Sequence, residues 1–189
     1  MTNPLVNISP RIFLLFNFIS FQSAWLVAVK LQQQGLLILI AILVMHFLVA
    51  QQRQRDWMTL IVITVIGSLV DLMAAYAGLF VYKEGNLLPL WLLLLWANFA
   101  LTFHYSMGWL VRCPLFIQAI LGGAFGSLSY FAAHKLGAVD YPAGIPLTII
   151  SLVVIWSLAL PVYVFIARTI RGRYHESKTQ SLSDRENSY

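Results

Sequence analysis

Asp71 is the carboxylate inside the apolar run GSLVDLMAAYAGLF, which extends from Gly67 to Phe80. A charged aspartate near the centre of a bilayer costs roughly 2.5–3.5 kcal/mol on insertion scales. Such a residue either joins a structural hydrogen-bond network or acts as a proton site, a cation site or an acid/base group. His104, in the run LTFHYSMGWL, is the second candidate for acid/base chemistry. The sequence leaves the structural and the chemical role of Asp71 open.

Composition defines the class of protein that must position these residues. The chain has 189 residues, of which 60% are hydrophobic and 10% charged. Soluble domains have about 45–50% apolar and about 25% charged residues. Apolar runs long enough to cross a bilayer recur along the chain, without the short alternating strands of a membrane barrel. We therefore expect an all-α, polytopic membrane bundle.

The lengths of the apolar runs, and the polar segments that separate them, predict six transmembrane helices in one domain, residues 1–170. The predicted spans are approximately Arg11–Lys30, Gly35–Ala50, Trp57–Val81, Leu87–Val111, Pro114–Lys135 and Ile145–Ile170. Pro161 predicts a kink within the last span. Residues 171–189 are polar and lack an apolar period, which predicts a disordered cytoplasmic tail.

The charged residues indicate how the spans are oriented, because short loops make neighbouring spans antiparallel. One side collects Arg11, Arg53, Arg55, Arg112, Arg168, Arg171, Arg173 and Lys178, and the other Lys30, Lys83 and Lys135. The positive-inside rule then places both termini in the cytoplasm. The same rule explains the net charge of +5 without a nucleic-acid partner, since no folded basic domain remains to bind one.

Small residues on two spans predict close helix packing. Gly67, Ser68 and Gly78 share the helix face of Asp71, so this carboxylate is expected to face the bundle interior. The fifth span has a similar set, namely Gly122, Gly123 and Gly126. Spans three and five are therefore expected to form the closely packed centre.

Depth along the helices predicts two polar layers. Counting about 1.5 Å per residue from the cytoplasmic end, Asp71, Asn98 and Gln22 fall in one central layer. A shallower layer contains Asn17, His46 and His104. These six residues form the predicted polar core.

The sequence gives only weak support for a metal site at His46 and His104. The pair lacks an H-x-x-x-H motif and a carboxylate at the same depth. Cys113 is the single cysteine of the chain, so neither an internal disulfide nor a cysteine-rich zinc site can form. We predict no metal and no cofactor.

Four segments resemble an uncharacterised family of small bacterial inner-membrane proteins, catalogued as a domain of unknown function. The segments are NFISFQSAWLVAV, GSLVDLMAAYAGLF, PLWLLLLWANFALTFHYSMGWL and GGAFGSLSYFAAHKLGAV, which cover most of Asn17 to Val139. The matching motif residues are Asn17, Gln22, Trp25, Asp71, Trp91, Trp96, His104, Ser106 and Trp109. The chain departs from the family near Ala133 and Lys135, where a glycine and an arginine are expected.

The resemblance implies a multi-pass protein of the bacterial inner, or cytoplasmic, membrane. Members of the family are often encoded near cyclopropane-fatty-acid-synthase-like and flavin oxidoreductase-like proteins, which suggests a role in lipid modification or the envelope stress response. The favoured hypothesis is therefore a non-catalytic accessory protein that binds membrane lipids. A lipid-modifying enzyme or a second copy of the chain is a further candidate partner. The alternatives are an intramembrane enzyme acting on lipid and a small proton-coupled transporter.

Overall fold

The computed structural model describes residues 9–83, 85 and 87–186, and these residues form a helical bundle. The helices are α1 (Pro10–Leu31), α2 (Leu36–Val49), α3 (Arg53–Tyr76), α4 (Leu90–Ala100), α5 (Leu115–Leu121), α6 (Ser127–Lys135) and α7 (Ile145–Glu186). Two short strands, β1 (Val81–Tyr82) and β2 (Val139–Asp140), pair antiparallel, with Val81 opposite Asp140. The predicted all-α class is confirmed.

Four segments of the described chain are long and apolar enough to cross a membrane. They are Pro10–Val49, Arg53–Tyr76, Leu115–Lys135 and Ile145–Gln180. A shorter apolar helix covers Leu90–Ala100. These segments are compatible with a multi-pass membrane protein, whereas the predicted number of six crossings stays a prediction.

The first of these segments is folded back on itself. A 3₁₀ turn, Gln32–Gly35, separates α1 from α2. The rings of Phe13, near the start of α1, and His46, near the end of α2, lie 5.7 Å apart. The two helices are therefore antiparallel. α2 has 14 residues and is only about 21 Å long, less than the hydrocarbon core of a bilayer.

The predicted fourth span is helical over a shorter range than expected. α4 ends at Ala100, and turns lead to a 3₁₀ helix, Gly108–Arg112. The Thr102 hydroxyl donates to the Phe99 carbonyl at 2.6 Å, and the Asn17 amide donates to the Leu101 carbonyl at 3.2 Å. These side chains satisfy backbone groups released by the helix end, which a non-helical segment within an apolar protein requires.

The predicted glycine contacts involve helices other than those expected. A Cβ at Gly67 would overlap the Trp96 ring of α4, and a Cβ at Gly122 would overlap the Trp156 carbonyl of α7. Gly126 likewise lies against Trp156, and Gly123 against Ser157. The two glycine-bearing spans therefore pack on α4 and α7, not mainly on each other. A π-helical segment, Gly122–Gly126, joins α5 to α6 along this contact.

Gly78 and Ser68, the other two residues predicted to support helix packing, lie in different environments from the four glycines above. Gly78 has φ +76°, and no atom lies within 4 Å of a Cβ built there. It follows the end of α3 and adopts a conformation that glycine allows, so its assignment to helix packing is wrong. Ser68 is buried, and its hydroxyl has no hydrogen-bond partner among the described residues.

The C-terminal segment is helical where a disordered tail was expected. α7 continues through Glu186 and passes Pro161 without a break. Residues 171–186 therefore correct the prediction of disorder, while 187–189 lie outside the described residues. The segment after Gly172 lacks proline and glycine and contains arginine, lysine and glutamate, which favour helix. A helix of 42 residues is about 63 Å long, roughly twice the hydrocarbon thickness.

Asp71 joins three helices in the centre of the bundle. Its Oδ2 accepts a hydrogen bond from the indole Nε1 of Trp96 on α4 at 2.7 Å, and its Oδ1 accepts one from the Tyr130 hydroxyl on α6. Trp96 stacks on Trp156 of α7, with ring centroids 5.6 Å apart. The buried carboxylate thus fixes an aromatic core that reaches α7.

We expect Gly122→Ala to destabilise the protein because the added methyl group meets a backbone carbonyl that cannot rotate away. Overpacking typically costs about 1–3 kcal/mol, which should lower the melting temperature in detergent. Gly172→Ala is the control, since it adds a methyl group to the same bundle where no atom lies within 4 Å. A melting temperature of Gly122→Ala equal to that of Gly172→Ala would contradict the close contact.

Replacing Asp71 should separate its hydrogen bonding from its charge. The amide introduced by Asp71→Asn can still accept from the Trp96 indole and can donate to the Tyr130 oxygen, so the melting temperature of this variant should stay close to wild type. Asp71→Leu leaves both groups buried and unpaired, at about 1–3 kcal/mol each. Thermal unfolding in detergent measures the difference. Equal destabilisation by both substitutions would show that the negative charge itself holds the helices.

Candidate functional site

A buried polar cluster lies where α2 ends and α3 begins, with Asp56 at its centre. The Asp56 carboxylate is 0% exposed. Its Oδ1 accepts hydrogen bonds from Nε and Nη2 of Arg55 at 3.1 and 2.8 Å. Its Oδ2 lies 3.3 Å from Nε2 of His46 and accepts a hydrogen bond from the Tyr105 hydroxyl at 2.6 Å. Both oxygens of this carboxylate are therefore engaged by neighbouring side chains.

The chain places Asp56 at this position through a short connection. α2 ends at Val49 and α3 begins at Arg53, so His46, in the last turn of α2, lies beside the first turn of α3. The first turn of a helix favours negative charge because its N–H groups are not paired within the helix. The expectation that no carboxylate lies at the depth of the histidines is wrong, because Asp56 faces inward beside His46.

His104 occupies a second position in the same region, between α3 and α7. Its Nε2 lies 2.6 Å from Oγ1 of Thr59, and its Nδ1 lies 3.5 Å from Nη2 of Arg171. The Thr59 hydroxyl already donates its one hydrogen to the Arg55 carbonyl at 3.0 Å. Nε2 of His104 must therefore donate to Thr59, and Nδ1 accepts from Arg171. This arrangement requires a neutral imidazole.

Asn17 connects α1 to the turn that carries His104 and Tyr105. Its Oδ1 accepts hydrogen bonds from the backbone N–H and the hydroxyl of Ser106, at 3.2 and 2.6 Å. With the Asn17–Leu101 contact described above, this amide holds both ends of the turns that follow α4. Asn17 is therefore a positioning residue for the segment.

A cavity of about 540 Å³ opens beside this cluster. One wall consists of apolar side chains that are 42–59% exposed: Leu14, Leu15, Phe18 and Trp109. The lining also includes Arg112, Arg171 and His104. We call this cavity the groove. It combines a hydrocarbon-like wall with two guanidinium groups.

A smaller cavity of about 260 Å³ lies next to the groove. Leu14, His104 and Tyr105 line both spaces. Arg55 and Gln52 contribute to the polar part of its own lining, and Phe13 and Val49 contribute apolar surface. The two spaces therefore meet at His104 and Tyr105.

The structure does not unite the six residues of the predicted polar core. Gln22 is exposed, and the Asn98 amide donates to the Leu94 carbonyl of its own helix at 2.8 Å. Neither side chain donates to Asp71, so the predicted central layer is not a hydrogen-bonded unit. Similar depth does not specify which side of each helix faces the other. Asn17, His46 and His104 do lie in one region, but each has its own partners.

The two candidates for acid/base chemistry, Asp71 and His104, do not share a site. His104 contacts Thr59, twelve residues before Asp71 on α3, which corresponds to about 18 Å along the helix axis. Neither the groove nor the smaller cavity is lined by Asp71. A reaction that uses both residues on one small substrate is incompatible with this spacing.

Several residues of this region were not predicted from the sequence, namely Gln52, Arg55, Asp56, Thr59, Tyr105 and Arg171. The arginines are explained by topology alone, and Tyr105 is not among the matching motif residues, although it lies within a segment that resembles the family. The adjacent opposite charges of Arg55 and Asp56, at the start of a span and near His46 in the chain, could have indicated a buried ion pair. Nothing local in the sequence distinguishes Arg171 from Arg173.

Across residues 9–83, 85 and 87–186, no group of three or more histidine, cysteine, aspartate or glutamate side chains could hold a metal ion. His46 and His104 have separate neighbours, Asp56 and Thr59. The arrangement can bind an anion at the arginines and an apolar chain along the groove wall.

Comparison with known proteins gives a family and no activity. A family model described as "Protein of unknown function (DUF2878)" matches residues 14–162. This range contains the Asp56 cluster, Asp71 and most of the groove. No curated protein and no solved structure matches the chain. The chain belongs to the DUF2878 family, whose function is unknown.

Proposed function

We propose that this membrane protein binds an anionic membrane lipid in the groove between α1, the segment after α4, and α7. The observation that supports the proposal is that Arg171 has hydrogen-bond donors without partners in the described part of the chain. Its Nε is buried without a hydrogen-bond partner among the described residues, and its Nη2 has only the long contact with His104. A partly buried guanidinium with unpaired donors is a binding site for a phosphate or carboxylate group.

The charges around the groove support an anionic ligand. Asp56 forms ion pairs with His46 and with Arg55, and none of these three residues lines the groove, although the neighbouring Tyr105 does. Among the described residues, Arg112 and Arg171 have no carboxylate partner, although both line the groove. An anion between them would supply the missing acceptors.

The groove wall supports a lipid as the source of that anion. Leu14, Leu15 and Phe18 lie along α1, a helix of 22 residues that is long enough to cross a bilayer. Trp109, also in the lining, is amphipathic and suits the membrane interface. An acyl chain can follow the apolar wall while the headgroup contacts the arginines.

The same arginines support a membrane orientation. We place the groove and both termini on the cytoplasmic side of a bacterial inner membrane, with six crossings, because the arginine-rich loops are on this side. Anionic lipids of a cytoplasmic leaflet attract basic residues near the membrane surface. In this orientation the groove lies at the level of the lipid headgroups.

A binding role agrees better with the geometry than catalysis or transport. Nε2 of His104 is bound to Thr59, and Nδ1 faces the cationic guanidinium of Arg171, which disfavours transfer of a substrate proton to this ring. Both oxygens of Asp71 are likewise bound by donors within the bundle. We propose an accessory protein that presents or senses lipid during lipid modification or envelope stress, with a lipid-modifying enzyme or a second copy of the chain as a candidate partner.

We expect Arg171→Gln to weaken binding of phosphatidylglycerol about tenfold or more, because a hydrogen bond to a charged group contributes about 1.5–3 kcal/mol. Native mass spectrometry of the full chain in detergent, titrated with phosphatidylglycerol or phosphatidylcholine, measures the affinities. Arg173→Gln is the matched control, since it removes an equal charge from an exposed position on the same helix.

The proposal requires two results in this titration. The wild-type protein should bind phosphatidylglycerol more tightly than phosphatidylcholine, and Arg173→Gln should keep that preference. Equal affinity for the two lipids, or equal losses in both arginine variants, would overturn lipid recognition at Arg171.

A further inference from the structure

The smaller cavity beside the groove differs from it in charge. Nε and Nη2 of Arg55 both donate to Oδ1 of Asp56, at 3.1 and 2.8 Å. Arg55 is 6% exposed and is therefore held within this pair. A guanidinium neutralised in this way does not attract a second anion as strongly as Arg171 does. The anionic part of a ligand therefore belongs in the groove, and an uncharged part fits the smaller cavity.

Gln52 lines the smaller cavity and has an unpaired polar atom. Its Oε1 is buried and has no hydrogen-bond partner among the described residues. Gln51 also lines the cavity but is exposed, and the carboxylate of Asp56 already accepts from Arg55 and Tyr105. The unpaired atom is the amide oxygen, which requires a hydrogen-bond donor, and beside the cationic guanidinium of Arg55 an uncharged donor such as a hydroxyl group is favoured over an ammonium group. The group that best satisfies Gln52 is therefore an alcohol.

The two cavities are positioned to receive two parts of one molecule. They share Leu14, His104 and Tyr105, so a headgroup bound at Arg171 can extend past His104 toward Gln52. The volume of about 260 Å³ is below the range typical of sites for drug-sized ligands. It suits a short polar headgroup and not a second large substituent.

We infer that the groove selects an anionic phospholipid whose headgroup bears a hydroxyl group, and that Gln52 is the residue that recognises this hydroxyl. The inference rests on the proposed lipid-binding function and adds the class of lipid. Arg171 and Arg112 contact the phosphate, and Gln52 distinguishes among lipids of equal charge. Leaving a buried polar group unpaired disfavours the lipid that lacks the hydroxyl.

Phosphatidylglycerol and phosphatidylmethanol test this assignment, because both carry one negative charge and only the first has headgroup hydroxyls. Native mass spectrometry of the full chain in detergent gives the affinity for each lipid. We expect wild-type protein to prefer phosphatidylglycerol about five- to tenfold, as one net hydrogen bond would give. Gln52→Leu should abolish this preference by weakening phosphatidylglycerol binding, with phosphatidylmethanol binding unchanged.

The controls separate the inference from the function on which it rests. Gln54→Leu changes an exposed glutamine on α3 that lines neither cavity and should keep the preference. Arg171→Gln should weaken both lipids alike. Equal wild-type affinity for the two lipids, with both bound more tightly than phosphatidylcholine, would overturn the role of Gln52 and leave anionic binding intact. No preference over phosphatidylcholine would overturn both.

The wild-type comparison also decides the inference if Gln52→Leu does not fold. Thermal unfolding of the variant shows whether it is folded. For a folded variant, retention of the phosphatidylglycerol preference would contradict the assignment of Gln52.

Discussion

A carboxylate buried in an apolar protein must receive hydrogen bonds from other parts of the chain, and this constraint fixes α3 at two levels. At one level, Asp71 accepts from Trp96 and Tyr130, on α4 and α6. At the other, Asp56 accepts from Arg55 and Tyr105 and contacts His46 of α2. The two carboxylates are fifteen residues apart in sequence, or about 22 Å along the helix. α3 is therefore held to its neighbours near both ends of its apolar length.

The shape of the groove depends on the hydrogen bonds around Asp56. Tyr105 donates to Asp56, and His104 is its neighbour in the chain, so the same turn is held in place at both residues. Thr59, one turn after Arg55 on α3, orients His104 so that Nδ1 faces Arg171. Arg171 is thereby directed along the groove without a carboxylate partner. The buried Arg55–Asp56 pair thus helps to position the guanidinium of Arg171, whose charge it does not neutralise.

Apolar run length was sufficient to predict the helical class and the approximate positions of the helices. It failed at the end of α4, because the backbone groups after Ala100 are satisfied by Thr102 and by Asn17, which lies more than eighty residues earlier in sequence. It also fails after residue 171, where the polar composition predicts disorder although helix-favouring residues extend α7. Long-range contacts and intrinsic helix propensity are not represented in an apolar run.

The candidate site was less predictable for a related reason. Depth gives one coordinate of a side chain, and a contact also needs the correct rotation of both helices. Asn98 had the right depth for Asp71, yet its amide bonds to Leu94, and the indole of Trp96 is the donor instead. Neither Trp96 nor Tyr130 belongs to the predicted polar core, although the N–H of an indole and the O–H of a phenol can both donate hydrogen bonds.

The arginines also show that a topology rule does not distinguish exposed residues from residues of the proposed lipid-binding site. Positive residues on the cytoplasmic side satisfy the positive-inside rule whether they are exposed or buried. Arg173 is exposed, whereas Arg171 has a buried Nε without a partner among the described residues. Orientation needs only the charge, but burial of an unpaired guanidinium has an additional cost that orientation does not offset. A ligand that supplies the missing acceptors offsets that cost at Arg171. Arg173 is exposed to solvent and needs no such ligand.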